Sequence, residues 1–458
     1  MSDQFQTLAL KPELVKNLAD LKFTRMTPVQ EKALPYILEG HNVLAQAKTG
    51  SGKTAAFALG CLNELDVSNL APQSLILCPT RELAEQVAKE TRTLARQMKN
   101  VRVLTLVGAV AQYHQEKSLE HGAHIIVGTP GRVLRLLKSD LINTSQIKNF
   151  VLDEADKMLD MGFNNDIIEI VSFLTNRKQT MLFSATFPDS IKHLAKSVQE
   201  NPKEIKIDNE TDPADIKQVF YEVSRHQDKN AALLKALGEL QPERFIVFCK
   251  TKQITDDVAK FLNKSGVVAA AIHGDLEQNE RTAVLTKFSN RSLCALVATD
   301  VAARGLDIQE LEAVINYDLP SDPEVYVHRI GRTGRAGKTG EALSFFIKKN
   351  SFKLDAIEEF TGKEVHIKDF SGEETLPYQM EPPMKTMYIG GGKKNKLRPG
   401  DVLGALVGEA GLEADAVGDI NILNIITLVA VKKECLSQAI QKLQVGKIKN
   451  RKFKVGQA

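Results

Sequence analysis

The amino-acid sequence predicts an α/β protein in which two parallel-sheet domains precede a small ferredoxin-like domain of order βαββαβ. Short apolar runs alternate with helical patterns over most of the 458 residues, which is typical of parallel sheets covered by helices on both faces. The last 75 residues follow a different order of elements. Two polar, proline-containing interruptions separate these regions, so we expect three domains.

The first domain is predicted to span residues 1–208. Short apolar runs, each followed by a helical pattern, indicate its strands at 42–46, 74–78, 101–106, 124–128, 150–153 and 180–184. The acidic segment 209–215, NETDPAD, contains a proline and breaks the alternation. This break predicts a linker between the first and second domains.

The second domain is predicted to span residues 216–370 and to resemble the first in architecture. Its strands are expected at 244–249, 267–271, 294–298, 313–316 and 342–347. The segment that follows, 371–383 (SGEETLPYQMEPP), has the proline and glutamate content of a tether. We therefore expect a flexible linker there.

The third domain is predicted to span residues 384–458. Strand patterns occur at 385–390, 418–423, 426–431 and 452–455, and helical patterns at 399–409 and 434–444. In chain order these elements give βαββαβ, which is the ferredoxin-like arrangement.

Composition excludes several classes of protein. Hydrophobic residues make up 43% of the chain and charged residues 26%, which are ordinary globular values that argue against disordered or collagen-like chains. No apolar stretch approaches the length of a membrane span, and residues 1–10 lack the features of a signal peptide. The five scattered cysteines form no C-x-x-C pair, so we expect structural thiols, a cytoplasmic location and no membrane contact.

The charge of the chain is unevenly distributed. The net charge is +3, but residues 384–458 hold 13 basic and 6 acidic residues, and the rest of the chain carries −4. A concentrated basic module on a nearly neutral body is typical of proteins that bind polyanions. The alternative is a basic tail that serves only solubility.

A phosphate-binding loop is indicated by AKTGSGKT at 47–54, which follows a predicted strand and leads into a predicted helix. Gly50 and Gly52 would let the backbone N–H groups of the loop, including that of Ser51, face phosphate. Lys53 would reach the outer phosphates, and the hydroxyl of Thr54 would bind Mg²⁺.

The companion of this loop is VLDEAD at 151–156, where a buried strand delivers two carboxylates at its end. Asp153 would hold the shell of the Mg²⁺ ion, and Glu154 would polarise the attacking water. A strand that ends in acidic residues is common, but its pairing with the loop upstream predicts a hydrolytic site.

HRIGRTGRAG at 328–337 places Arg329, Arg332 and Arg335 in one short segment of the second domain. Arginine supplied to a developing phosphoryl charge is the functional interpretation, and a solvated basic turn is the alternative. A second cluster, ATDVAARGLDI at 298–308, puts Thr299 and Asp300 at the carboxyl end of a strand. Parallel sheets bind ligands at that end.

Nine short motifs follow one another along the first two domains, namely FTRMTPVQ at 23–30, AKTGSGKT at 47–54, PTRELA at 79–84, TPGR at 129–132, DEAD at 153–156, SAT at 184–186, HGD at 273–275, ATDVAARGLDI at 298–308 and HRIGRTGRAG at 328–337. In order and spacing they resemble the motifs of the DEAD-box RNA helicases. The resemblance implies two RecA-like domains, an RNA-dependent ATPase with ATP and Mg²⁺ as cofactors, and local unwinding of RNA duplexes.

The resemblance also implies roles for residues of the nucleotide site. Phe23 would stack on adenine, Gln30 would hydrogen-bond its edge, and Asp307 would meet the ribose. The arginine fingers would be Arg332 and Arg335. The residues that link the nucleotide to domain closure would be Asp156, Ser184 and Thr186.

Contacts to the RNA backbone are implied for six residues of the two domains, namely Arg81, Thr129, Arg132, Gln278, Arg281 and Thr299. One departure from the family pattern lies among them. The Gly-Gly element between PTRELA and TPGR is here Gly108 and Ala109, which affects how closely RNA could approach that turn.

The third domain resembles the RNA-recognition-type (RRM-type) module of the bacterial DbpA-like group of these helicases, and GGKKNKLRPGDVLGALVG at 391–408 carries the match. The resemblance implies a hairpin of 23S ribosomal RNA and the precursor of the large ribosomal subunit as partners. Among its central strands only Tyr388 offers an aromatic ring for base stacking. Basic side chains are therefore the alternative contacts, namely Lys393, Lys394, Lys396, Arg398, Lys447, Lys449, Arg451 and Lys452.

Two other functions stay open from the sequence. A DNA helicase or DNA-stimulated translocase could use the same core, and a non-catalytic RNA-binding protein could retain an inactive nucleotide fold. The intact residues Lys53, Asp153 and Glu154 argue against the second of these.

Overall fold

A computed structural model describes residues 4–47, 50–207, 216–303, 311–334, 340–369 and 376–458. It divides into two compact units, of which the first holds the described residues up to 207 and the second those from 216 onward. Among the described residues, no helix is long and apolar enough to cross a membrane. The five cysteines all lie in described parts of the chain and are unpaired.

The first unit is built on a seven-stranded sheet whose strand pairs are all parallel. Its strands are β1 (Val43–Gln46), β2 (Ser74–Leu77), β3 (Val103–Leu106), β4 (Ile125–Gly128), β5 (Asn149–Leu152), β6 (Gln179–Ser184) and β7 (Lys203–Lys206). Across the sheet they follow the order β3-β4-β2-β5-β6-β1-β7. The predicted parallel sheet is confirmed.

Helices cover both faces of this sheet. They are α1 (Pro12–Asp20), α2 (Pro28–Leu38), α3 (Lys53–Glu64), α4 (Arg81–Leu94), α5 (Gln112–Glu120), α6 (Pro130–Lys138), α7 (Ala155–Asp160), α8 (Asn164–Ser172) and α9 (Asp189–Val198). Successive strand residues point to opposite faces, so Met181 and Phe183 enter one apolar cluster and Leu182 the other. The two clusters explain why the strands read as continuous apolar runs.

The second unit contains a sheet of the same kind, with all strand pairs parallel. Its strands are β8 (Ile216–Glu222), β9 (Phe245–Phe248), β10 (Ala269–Ile272), β11 (Ala295–Ala298), β12 (Ala313–Asn316), β13 (Gly340–Phe346) and β14 (Ile367–Asp369). The order β10-β11-β9-β12-β13-β8-β14 repeats that of the first sheet, strand for strand. Its helices are α10 (Lys229–Leu240), α11 (Lys252–Lys264), α12 (Gln278–Ser289), α13 (Asp300–Ala303), α14 (Pro323–Ile330) and α15 (Phe352–Thr361).

The C-terminal part of the second unit forms a four-stranded antiparallel sheet. Its elements are β15 (Met384–Ile389), α16 (Pro399–Gly408), β16 (Val417–Ile422), β17 (Thr427–Lys432), α17 (Leu436–Val445) and β18 (Val455–Gln457). The sheet order β16-β17-β15-β18 is that of a ferredoxin-like βαββαβ fold, which confirms the predicted fold class. We call this part the C-terminal module.

Three strands were not expected from the sequence, and one lies later than expected. In β7 only Ile205 is buried, so this edge strand lacks an apolar run. Strands β8 and β14 were also missed, and β14 is a short strand at a sheet edge. The last strand, expected at 452–455, begins only at Val455 because the residues before it form a turn closed by Ile448 and Arg451.

The end of the predicted tether is packed rather than free. We call residues 376–383 the strap; residues 370–375 lie outside the described residues. The hydroxyl of Tyr378 donates to the carbonyl of Pro242 at 2.6 Å, and its ring meets Phe245 edge to face. The N–H of Gln379 donates to Oε1 of Gln241 at 2.9 Å. The proline and glutamate content predicts a solvated linker. The strap packs instead because burial of the aromatic ring of Tyr378 stabilises its contact with the second domain.

The outer face of the C-terminal sheet lies against the second parallel-sheet domain. Thr386 bridges to that domain, since Nδ2 of Asn290 donates to its hydroxyl at 3.0 Å and the hydroxyl donates to Ser292 at 2.8 Å. Leu428 and Ala430 share this face through pairing with β15 and are also buried. Strand β17 lies against α12. This face is therefore covered by protein.

The packing of the strap predicts the effect of a methyl group at position 238. A Cβ on Gly238, inside α10, would lie 1.9 Å from the carbonyl oxygen of Leu376, so the strap must move in Gly238→Ala. We expect faster hydrogen exchange of the Gln379 amide and faster proteolysis within the strap. The matched control is Gly404→Ala inside α16, where a Cβ would meet nothing within 4 Å. Unchanged protection of Gln379 in Gly238→Ala would contradict the packing.

Candidate nucleotide and RNA sites

The sites follow from the order of the strands in the first sheet. Strands β1, β5 and β6 are neighbours, and the loop at 50–54, the DEAD segment and the SAT segment follow their carboxyl ends. Strands β2, β3 and β4 form the other half, and Arg81, Gly108 and Thr129 follow their carboxyl ends. Parallel strands all end at one edge, so the predicted nucleotide and RNA residues occupy two halves of the same edge.

The described part of the phosphate loop needs glycine at position 52; Lys48 and Thr49 lie outside the described residues. Gly52 has φ +90° and precedes α3, and a Cβ there would lie 2.4 Å from Nε2 of Gln30. Gly50 has φ +82°. A left-handed backbone at both positions is accessible to glycine without strain.

Buried charged atoms lie where the loop and β5 meet. Among the described residues, Nζ of Lys53 and Oδ1 of Asp153 have no hydrogen-bond partner although both are buried. Burial raises the pKa of Asp153, the charge of Lys53 opposes this rise and the charge of Glu154 adds to it, so that the pKa is about 6. Thr54 follows Lys53 at the start of α3. Unpaired polar atoms are costly in a protein interior, so this arrangement fits an anionic ligand together with a hard cation that prefers oxygen ligands.

Phe23 and Gln30 differ in exposure and in their contacts with the loop. Phe23 is 39% exposed, and its ring meets that of Phe5 edge to face at 6.4 Å. Gln30 is 1% exposed. Its Oε1 accepts from the N–H of Thr27 at 2.9 Å, and its Nε2 donates to the carbonyl of Gly52 at 3.0 Å. A carboxamide retains a further N–H and a further lone pair in this arrangement.

Asp156 joins the DEAD segment to the SAT segment. Its Oδ2 accepts from the N–H groups of Ala185 and Thr186 at 3.1 and 3.2 Å and from the hydroxyl of Thr186 at 3.2 Å. Ser184 ends β6, and its hydroxyl is buried with no hydrogen-bond partner among the described residues. The structure thus brings Asp156 and Thr186 into direct contact but leaves Ser184 outside that contact.

The turn that departs from the family pattern lies beside Arg81. A Cβ on Gly108 would lie 3.5 Å from Nε of Arg81. The next residue, Ala109, has φ +50°, a left-handed conformation that costs a non-glycine residue about 1 kcal/mol. Ala109 therefore adopts a conformation that glycine would reach without strain, and it adds a methyl group to the turn.

Arg132 supports the same turn from α6. Its Nη2 donates to the carbonyl of Val110 at 3.1 Å, and Thr129 is the N-cap residue of the helix. Burial, followed by the nearby charges of Arg135 and Arg81, lowers the pKa of Arg132. Several cations that repel one another at the edge of the sheet favour an anionic ligand such as an RNA backbone.

Arg329, one of the three arginines at 328–337, proves to be internal. It is 3% exposed and forms a bidentate pair with Asp300, with N–O distances of 2.6 and 2.7 Å. Its Nη1 also donates to Asn316 at 3.0 Å and to the carbonyl of Asp318 at 2.7 Å. These partners bind Arg329 inside its own domain. The sequence had grouped it with Arg332 and Arg335 as candidates to contact a phosphoryl group.

The other predicted residues of the second unit are placed in part. Arg332 is buried and follows α14, whereas Arg335 and Asp307 lie outside the described residues. Thr299 follows β11 and is buried. Gln278 and Arg281 lie in the first turn of α12, shortly after β10. Because β10 and β11 are neighbours, the predicted RNA residues of this domain also share one half of the sheet edge.

The basic runs of the C-terminal module form one surface. Nζ of Lys449 donates to the carbonyl of Lys396 at 2.8 Å and approaches Asp401 at 3.2 Å, which joins the two runs. All eight predicted basic contacts are exposed: Lys393, Lys394, Lys396, Arg398, Lys447, Lys449, Arg451 and Lys452. Tyr388 is only half-exposed, and its ring lies over Gly456. We call these eight residues the basic surface.

Sequence reasoning missed two buried ion pairs. Lys157 pairs with Glu154 at 2.8 Å, and Lys229 pairs with Asp318 at 2.7 Å. The first pair carried a signal, since opposite charges three residues apart meet on a helix surface. The second joins α10 to the end of β12, and nothing in the local sequence indicates it.

Comparison with known proteins identifies the family. Residues 27–194 match the DEAD/DEAH box helicase family, residues 228–337 the helicase conserved C-terminal domain, and residues 386–457 the DbpA RNA binding domain. The ATP-dependent RNA helicase DbpA of Escherichia coli strain K12 is 45% identical over 452 residues, which cover 98% of both chains. The chain belongs to the DEAD-box ATP-dependent RNA helicases, and it is of the DbpA type.

Other relatives agree with this assignment. The DEAD-box helicase CshA of Geobacillus kaustophilus is 43% identical over 363 residues, a region that covers 79% of this helicase and 77% of CshA. The solved structure of Saccharomyces cerevisiae Dbp5 bound to RNA and ADP BeF3 has a TM-score of 0.73 and 36% identity, covering 80% of this helicase and 96% of Dbp5. The helicase is thus an RNA-dependent ATPase, which answers the alternative of an inactive nucleotide fold.

Burial of Asp153 predicts a pH-dependent stability of the nucleotide-free first unit. Its pKa is raised from 3.8 to about 6, so the folded protein binds more protons than the unfolded chain between these values, and the free energy of unfolding falls as the pH rises through them. We expect Asp153→Asn to remove this part of the slope. The free energy of unfolding of Asp153→Asn, taken relative to that of the native protein, should rise by about 1–3 kcal/mol from pH 4 to pH 7.

The measurement is urea unfolding followed by hydrogen exchange of peptides from β5 and β6, without nucleotide or Mg²⁺. A difference between Asp153→Asn and the native protein that does not change with pH would contradict the raised pKa.

Proposed function

We propose that this helicase remodels 23S ribosomal RNA during assembly of the large ribosomal subunit in the cytoplasm. Its specificity would come from a ribosomal RNA hairpin bound by the C-terminal module. The proposed division is 1–208 and 216–370 for the two helicase domains and 384–458 for the module, with connections at 209–215 and 371–383. The observation that carries the proposal is the exposed basic surface beside a covered sheet face.

Hydrolysis is proposed to use the carboxyl ends of β1 and β5. Lys53 binds the outer phosphates of ATP, and Thr54 and Asp153 would hold Mg²⁺, which offsets phosphate charge when bound. A water oxygen bonds to the γ-phosphorus, its proton passes to Glu154, and the bond to the bridging oxygen breaks so that ADP leaves with the electron pair. Arg332 and Arg335 stabilise the charge that develops on the transferred group.

The base of the nucleotide is proposed to bind on the α2 side of the loop. Phe23 stacks on adenine, and the remaining donor and acceptor capacity of Gln30 reads the edge of the base. The ribose is assigned to Asp307. The backbone N–H groups of Gly50, Ser51 and Gly52 accompany Lys53 around the phosphates.

Coupling between the nucleotide and RNA is proposed to pass through Asp156. The residue follows Glu154 closely in the chain and binds Thr186 beyond β6. A shift of the DEAD segment would therefore move the SAT segment through this contact. Ser184 would join this contact during the cycle. RNA and ATP should then tighten each other's binding, since linkage is reciprocal.

The core is proposed to bind the RNA backbone without reading its sequence. The residues assigned to this role are Arg81, Thr129, Arg132, Gln278, Arg281 and Thr299. Backbone contacts position a nucleic acid but carry no direct sequence information. Selectivity therefore falls to the basic surface. Equal stimulation of ATP hydrolysis by RNA and by DNA of the same sequence would favour a DNA translocase instead.

Substitution of the base tests the hydrolytic role. Glu154→Gln keeps the shape of the side chain but cannot accept the proton, so we expect RNA-stimulated turnover to fall by at least about 100-fold. Binding of ATP and RNA should stay within about threefold, because the variant retains Lys53 and the core RNA residues. Glu120→Gln, at the exposed end of α5, is the control and should hydrolyse ATP normally. Near-normal turnover of Glu154→Gln would remove Glu154 from the mechanism.

Charge reversal tests the role of the basic surface. We expect the triple variant Lys393→Glu, Lys394→Glu, Lys396→Glu to lose its preference for the ribosomal hairpin over a scrambled RNA. The salt dependence of hairpin binding should also flatten, by roughly 0.7–0.9 in slope for each phosphate that the variant no longer neutralises. The measurement is ATP hydrolysis against RNA concentration at several salt concentrations.

The matched control reverses Lys16, Lys99 and Lys178, three exposed lysines of the first unit. It should keep the hairpin preference. If the variant of the basic surface keeps the same preference ratio as the native protein, selectivity lies in the core.

A further inference from the structure

Lys157 is a buried cation next to the proposed base. It follows the DEAD segment, lies in α7, and is 7% exposed. Its Nζ lies 2.8 Å from Oε2 of Glu154, whose side chain is also buried. Both side chains are buried, so this contact is an ion pair in the protein interior.

General features of a helix do not explain this lysine. Its third position in α7 places a positive charge near the positive end of the helix dipole, which is unfavourable. Burial of an ammonium group is also unfavourable unless a partner offsets it. The carboxylate of Glu154 is a partner that offsets the cost of burying this ammonium group.

Lys157 fixes two carboxylates of the DEAD segment at once. Its side chain pairs with Glu154, and its backbone N–H donates to Oδ1 of Asp156 at 2.9 Å. Glu154 itself has φ +53°, a conformation that persists in a non-glycine residue only when its surroundings hold it. Lys53 and Lys157 both act on Asp153 as well, so two ammonium groups balance the two carboxylates at the end of β5.

We propose that Lys157 is a positioning residue for ATP hydrolysis, whose ammonium group holds the carboxylate of Glu154 where it meets the attacking water. An ion pair to one carboxylate oxygen leaves lone pairs for that water. This inference rests on the proposed function, because it takes Glu154 as the base. Lys157 itself touches neither ATP nor water in this scheme.

Substitution at position 157 tests the inference at a single fixed pH. Lys157→Met removes the charge, and we expect kcat for RNA-stimulated hydrolysis to fall roughly 10- to 100-fold, as for a displaced catalytic group. KM for ATP and the affinity for RNA should change by less than about threefold, since the residues that bind them remain. Lys157→Arg keeps the charge and should restore most of the missing kcat.

The matched control is Lys192→Met. Lys192 forms an ion pair of the same spacing with Asp189 at 3.0 Å, but both side chains are exposed. We expect no change of kcat in this variant. Thermal unfolding of each variant shows whether it is folded at the assay temperature. If Lys157→Met is unfolded, Lys157→Gln replaces it, because glutamine keeps a hydrogen-bond donor without the charge.

A double variant shows whether Lys157 acts through Glu154. Adding Lys157→Met to Glu154→Gln should not lower the residual rate further, because both changes remove one function. The inference is overturned if Lys157→Met keeps or raises kcat, if Lys157→Arg is as slow as a folded Lys157→Met, or if the double variant shows the product of the two single effects. An active Glu154→Gln would instead overturn the assignment of the base, whatever Lys157 does.

Discussion

The shared carboxyl edge of parallel strands is the constraint on which this structure depends. Because every strand of a sheet ends at the same edge, the strand order decides which loops become neighbours. In the first sheet β1, β5 and β6 lie together, and this brings the phosphate loop next to the DEAD and SAT segments although about 100 residues separate the loop from the DEAD segment in the chain. The second sheet has the same order, so Thr299 after β11 shares one half of its carboxyl edge with Gln278 and Arg281 after β10. Arg332 follows α14 instead, and its carbonyl accepts from the N–H of Leu311, just before β12.

The candidate site was more predictable than the fold around it. Buried parallel strands are apolar on both faces, and the loops after them carry their chemistry in short motifs, so Lys53, Asp153 and Glu154 could be placed from the sequence. Edge strands and long-range packing leave no such signal. Strand β7 has one buried side chain, and the strap resembles a linker until Tyr378 meets Phe245. Such contacts depend on residues far apart in the chain, which no local pattern encodes.

Two buried cations of this molecule differ in their hydrogen bonding. Arg329 is buried, and Asp300 and Asn316 engage its guanidinium group on both sides, so it consolidates its own domain. Lys53 is buried as well, yet its ammonium group has no hydrogen-bond partner within the described residues. A protein rarely keeps such a group in its interior unless a ligand completes it. Two carboxylates of the DEAD segment differ in the same way: Oδ2 of Asp156 accepts from Thr186, whereas Oδ1 of Asp153 has no hydrogen-bond partner within the described residues.

The covered sheet face of the C-terminal module changes how specificity and catalysis can be connected. An RRM that bound RNA through its sheet on a free tether would leave the helicase core at an undefined distance from the target. Here Thr386 and the strap fix the module on the second helicase domain, and α12 runs from Gln278 and Arg281 to the helix end that lies near this contact. RNA held by the basic surface would then lie at a set offset from the RNA residues proposed for the second helicase domain. A rigid offset raises the effective concentration of one RNA segment and lowers that of all others, so under the proposed function the docking itself would contribute to the choice of the duplex that is unwound.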